Sequence, residues 1–180
     1  MTTETLLAGQ IEFLRARIDR DVAHSWSSLL EHLLGTREML VSWEAELTVC
    51  TAGLFHSVYG TESFDRATID RSEREAVRLM IGEEAEQIVY LFSIMTGESF
   101  EASIGEARTH RIKDRIDDRW IMVSHPVFVR LCNLSAPRRK FGRSQAASIV
   151  DSFWCSSRRV RRSASFSRVK FQTKGFAIWL

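Results

Sequence analysis

The sequence predicts an all-α body of five to seven helices followed by an irregular, basic C-terminal tail. Three observations carry this: apolar residues recur at helical spacing through the first 135 residues, the connections between those runs are short, and the charge reverses sign beyond them. Residues 1–135 hold 14 Lys and Arg against 22 Asp and Glu, a balance of −8, whereas residues 136–180 hold 11 against one, Asp151, a balance of +10. The boundary falls near Pro137, which makes 1–135 the helical domain and 136–180 a Ser/Arg-rich tail. With 180 residues, 44% hydrophobic and 27% charged, the composition is that of one soluble globular domain.

Taken in order, Leu7, Ile11, Leu14 and Ile18 mark the apolar face of a first helix, and Trp26, Leu29, Leu30, Leu33 and Leu40 that of a second. Leu47 to Val58 is apolar nearly all round, as in a helix buried at the centre of a bundle, although periodicity does not separate it from a buried strand. Ser72 with Glu75 matches a capping box opening a helix through Val77 and Met80, which Gly82 closes. A further helix carries Ala85, Ile88, Val89, Phe92 and Met95 and stops at Gly97. Ile121 to Val123 is strand-like. Ser124 and Pro126 open a last helix bearing Val127, Leu131 and Leu134, and Pro137 ends it. Asp114, Asp117 and Asp118 alternate with Arg111, Lys113, Arg115 and Arg119, the pattern of a solvated, salt-bridged helix. Trp26, Trp43 and Trp120 are expected as core or interface anchors.

No apolar stretch reaches the roughly 20 residues of a bilayer span and no leader opens the chain. Cys50, Cys132 and Cys155 are an odd set without CxxC spacing, so neither a disulfide framework nor a zinc knuckle is expected and the chain reads as cytoplasmic. Neither Gly35-Thr36 nor Gly60-Thr61 lies in a phosphate-cradling glycine loop.

Chemistry is sought among the five histidines. His32 and His56 each stand inside an apolar run, where burial disfavours the cation and a partner must satisfy the ring nitrogens. Two solutions stay open: a shared metal or ligand, or hydrogen bonds to a backbone carbonyl and to the neighbouring helix. His24, with Ser25, lines the same cavity or serves structure. His110 and His125 lie beside loop signals and are expected at the surface.

The stretch from Glu31 to Phe92 resembles the HD-domain superfamily of metal-dependent phosphohydrolases, in particular the alarmone hydrolases of the RelA/SpoT type. The residues that carry the likeness are His32, then Ala52-Gly53-Leu54-Phe55-His56-Ser57, a loop reaching Thr61, and Ile81-Gly82-Glu83-Glu84-Ala85-Glu86-Gln87-Ile88-Val89. The chain is also similar, over residues 20–135, to an uncharacterised bacterial family with Glu-His-Leu-x-Gly-Thr and Ala-Gly-Leu-Phe-His-Ser-x-Tyr-Gly-Thr motifs.

The resemblance implies an HD-like bundle in which His32 and His56 are metal ligands. It also exposes departures. Ser57 stands where the motif has aspartate, residues 58–61 replace the acidic loop, and Cys132-Asn133 replaces the Ala-Asp pair of the last ligand. Two imidazoles, a hydroxyl and an amide supply no anion, so any divalent metal held here should be weaker or softer than in an HD enzyme unless Glu31, Glu62 or Asp65 bends in. The expected function is a divergent metal-dependent phosphohydrolase acting on a small phosphorylated molecule. The alternative is a non-catalytic small-ligand-binding or accessory domain, its pocket lined by His24, Ser57, Tyr59 and Asn133.

The tail, with Arg138, Arg139, Lys140 and Arg143 and the run Arg158-Arg159-Val160-Arg161-Arg162, admits three accounts: a solvated extension, a nucleic-acid-binding segment, or out-of-frame sequence. It is the one place where a nucleic-acid partner is expected; no membrane partner is.

Overall fold

A computed structural model describes residues 2–17, 23–106 and 109–141, with the side chains of Thr3 and of residues 23–28 and 136–141 outside the description. Seven α-helices and one β-hairpin stand among the described residues: α1 (Thr3–Arg17), α2 (Ala23–Ser42), α3 (Leu47–Phe55), α4 (Arg74–Ile81), α5 (Glu83–Ile94), α6 (Gly97–Ala102), β1 (Thr109–Asp114), β2 (Arg119–Ser124) and α7 (His125–Phe141). The body is thus mostly helical but not purely so.

The organising element is α3, apolar on every side, in which each residue from Val49 to Phe55 is buried. It packs against α2, α5 and α7, so that helices far apart in sequence meet around it. Gly53 permits the close approach of α2: a Cβ there would overlap Leu40 Cδ1 and lie 3.6 Å from Thr36 Cγ2. After α3 the chain turns through Gly60, whose φ of +73° and proximity to the Asp65 carbonyl both exclude a side chain. The next helix begins differently from the capping-box expectation. The Asp70 carboxylate accepts hydrogen bonds from the Ser72 N–H at 2.8 Å and hydroxyl at 2.6 Å, opening a 3₁₀ turn (Arg71–Glu73) that leads into α4. Those bonds hold the Asp70 carboxyl below its usual range. Gly82, φ +84°, ends α4 and starts α5.

The hairpin replaces the expected salt-bridged helix over 111–119. Its burial alternates, with His110, Ile112 and Asp114 inward and Thr109, Arg111 and Lys113 outward or half-exposed, a period of two that the alternating charges disguised. The strands pair antiparallel with Ile112 opposite Ile121. Asp114, fully buried, closes the turn: its Oδ1 accepts the N–H of Ile116 at 2.9 Å and of Asp117 at 3.2 Å, while Arg119 Nε lies 3.5 Å from Oδ2. Asp114→Ala, which strands two N–H groups in a turn, is expected to cost about 1–3 kcal/mol in chemical denaturation.

Helix α6, which the sequence reading missed, covers the free edge of β1. Ser99 Oγ accepts the Lys113 N–H at 2.8 Å, and Ser103 Oγ both accepts the Arg111 N–H at 3.1 Å and donates to its carbonyl at 2.7 Å. Trp120, expected as an anchor, is 56% exposed on the outer face of β2, between Arg111 and Lys113. Helix α7 starts as expected beside Pro126 but runs through Pro137 to Phe141, so the compositional boundary falls inside a helix. Helix-interior proline forfeits one backbone bond without forbidding continuation where the rest of the helix is anchored, as α7 is by buried Phe128, Leu131 and Leu134. The tail from residue 142 onward, with every expectation placed on it, lies outside the described residues. No described helix is long and apolar enough to cross a membrane.

Candidate functional site

His32 and His56, 24 positions apart, meet. His32 projects from the middle of α2, and His56 follows directly on α3, the two helices held close by Gly53. Their Nε2 atoms are 3.1 Å apart and their rings lie edge to face at 5.0 Å. His56 is buried, 4% exposed, whereas His32 is on the solvent side. The Gly53 carbonyl, 2.8 Å from His56 Nδ1, can only accept, so that nitrogen carries the proton and the Nε2 lone pair of the neutral ring faces His32. Phe92, ring edge on at 5.8 Å, packs against His56. The Thr36 hydroxyl donates to the His32 carbonyl at 2.9 Å one turn on.

A ring nitrogen held by a backbone carbonyl with the other left as a donor is the arrangement in which histidine ligates metals. Two nitrogens bound at about 2.1 Å to one ion lie about 3.0–3.4 Å apart, which the observed separation satisfies. These residues therefore fit two positions around a borderline ion such as zinc or cobalt. They do not fit a hard ion. Among the described residues no group of three or more His, Cys, Asp or Glu could hold a metal. The carboxylates that could have bent in are engaged elsewhere or exposed: Glu62 accepts the Gly97 N–H at 2.7 Å, Asp65 pairs with Arg115 at 3.2 Å, and Glu31 lies at the surface.

The remaining expected residues are dispersed. Ser57 is buried and its hydroxyl has no hydrogen-bond partner among the described residues. Asn133 is half-buried on α7. The side chain of His24 is outside the description. Tyr59, fully buried, points its hydroxyl at Glu86, 3.2 Å away.

That contact belongs to a cluster which sequence reasoning missed. Glu86, 1% exposed on α5, is gripped in bidentate fashion by Arg74 at 2.6 and 2.9 Å and approached by Arg78 at 3.7 Å. Arg74 also lies 3.5 Å over the Tyr90 ring. Burial, the Glu86 charge and the bond donated to it push the Tyr59 phenol far above its ordinary range, and the bond to Glu86 raises Arg74 in turn. Tyr59 is therefore fixed as a donor. The available signal was a glutamate beside the apolar face of Ala85, Ile88, Val89 and Phe92, three positions before Val89. Cys50 is buried and its thiol raised by desolvation, which makes it inert.

A second imidazole pair was also missed. His110, expected at the surface, is 1% exposed because it lies on the inward face of β1, and its Nε2 is 2.9 Å from Nδ1 of exposed His125.

Residues 13–96 match the model of a family described as a domain of unknown function, DUF6817. The matched span holds His32, His56 and the Glu86 cluster and ends before the hairpin. No curated protein and no solved structure matches the chain.

Proposed function

We propose that the chain is an HD-like helical domain whose His32 and His56 together hold a borderline divalent ion, with small phosphorylated molecules as the ligands. The observation that carries this is the meeting of the two Nε2 atoms at 3.1 Å with His56 oriented by the Gly53 carbonyl. Such an ion, when bound, lowers the pKa of bound water and polarises a phosphoryl oxygen. His56 supplies a fixed, buried nitrogen just past the end of α3. His32 supplies the second from the solvent side, where a ligand has access. Neither nitrogen is anionic, so the donor set favours zinc, cobalt or nickel over magnesium or manganese.

A second reading, a binding or accessory domain without turnover, is favoured by one feature: Ser57, buried and with no hydrogen-bond partner for its hydroxyl among the described residues, stands where the HD pattern has a carboxylate. The test is the metal content of protein purified without chelator, followed by a phosphatase screen of the loaded protein. A metal content that falls by one equivalent in His32→Ala, with turnover of phosphomonoesters or nucleotides by the unsubstituted chain, is the expected result. An equivalent that His32→Ala removes, without turnover, selects the second reading; a stoichiometry that His32→Ala leaves unchanged removes this pair as a metal centre.

A further inference from the structure

We propose that His110 and His125 form a metal site of their own, taking one zinc-like divalent ion through His110 Nε2 and His125 Nδ1. This site is independent of the first: it lies outside the matched span 13–96 and on different elements, the inner face of β1 and the first residue of α7.

The argument runs from His110. Its ring is stacked parallel on Phe128, with centroids 3.9 Å apart and an interplanar angle of 4°, and is buried to 1%. Its Nδ1 lies 3.2 Å from the Ser103 carbonyl, which only accepts. The proton is therefore on Nδ1, and the Nε2 lone pair of the neutral ring is aimed at His125. The Ser103 carbonyl is itself well placed, because the Ser103 hydroxyl is tied to Arg111 on the same strand. His110 is thus a rigid nitrogen donor with its outer partner already supplied, as metal-ligating imidazoles are. His125, exposed and 2.9 Å away, is free of such burial and presents the pair to solvent. The separation is about half an ångström short of the roughly 3.4 Å between two nitrogens bound at about 2.1 Å in a tetrahedral site, an opening that the exposed His125 supplies by turning outward.

The donor set is again two neutral imidazoles, so the chemistry selects zinc, nickel or copper and leaves the other coordination positions to water or to an incoming ligand. Binding replaces the N–H···N hydrogen bond of the pair by two metal–nitrogen bonds, and the proton held at His125 Nδ1 passes through solvent to Nε2 of the same ring, which stays a neutral donor.

The test is a zinc titration of the full chain carrying His32→Ala, which empties the first site, followed by calorimetry and ring-nitrogen NMR. One equivalent should bind, His110 Nε2 should move by tens of ppm, and the added substitution His125→Ala should abolish both. Because His125 is exposed, that variant should melt within a few degrees of its parent. Magnesium should give no response. Absence of zinc uptake in the His32→Ala chain, or uptake that His125→Ala leaves intact, would overturn the assignment and leave the pair a hydrogen bond only. Failure of the first site reads differently: His32→Ala then changes nothing, while His125→Ala still removes one equivalent.

Discussion

Replacing Glu86 by alanine is expected to lower unfolding free energy by about 3 kcal/mol, the lower end of the range for breaking a buried ion pair. Glu86 is 1% exposed, accepts hydrogen bonds from Arg74 and Tyr59, and pairs with Arg78 at 3.7 Å. Its removal leaves the Tyr59 hydroxyl, itself fully buried, without its acceptor and leaves the Arg74 guanidinium facing an apolar hole. Hydration tempers the penalty, since the Arg74 side chain is 29% exposed. Glu86→Gln keeps an acceptor for Tyr59 and should cost less. Urea denaturation followed by tryptophan fluorescence measures both, and a loss below about 1 kcal/mol for Glu86→Ala would mean that water already solvates the pair.

The second large effect belongs to Gly53. Gly53→Val is expected to cost about 2–3 kcal/mol through overpacking, because its first added carbon already overlaps Leu40, a residue with no exposed surface. The consequence extends to chemistry. The Gly53 carbonyl orients His56, and α2, pressed away at Leu40 and Thr36, carries His32 on the turn before. Zinc affinity at the first site should fall along with stability, whereas the His110–His125 pair, on other elements, should be unaffected. Unchanged stability in Gly53→Val would show that Leu40 finds another rotamer and that the two helices do not depend on this contact.

The helices were legible where one face alone is buried or where a helix is buried all round. Leu14, Leu33, Leu40, Val77, Ile88 and Leu131 are all core residues on the faces expected for them. The hairpin was not legible, because Arg111, Lys113, Asp114 and Arg119 read equally well as helical ion pairs. What decided between the two was the burial of Asp114, a carboxylate that turns inward to bind two turn N–H groups, which no charge pattern announces. His110 was misread for the same reason. A histidine next to a loop signal is exposed by default, and only the pairing of β1 with β2 and its stacking on Phe128 put it inside.

By itself, then, the chain's local pattern determined the helical body, the central place of the segment from Val49 to Phe55, and the two histidines worth following, since each of these depends on neighbours within a few residues. Tertiary structure decided the geometry in which His32 and His56 meet, which the resemblance had only implied, and it alone decided that Tyr59 answers to Glu86 and not to a ligand pocket and that His110 has a partner in His125. Each of those depends on which surfaces of distant segments come into contact, and a glycine's missing side chain or a serine's bond to a strand edge controls that through distances of a few ångströms that spacing along a chain does not encode.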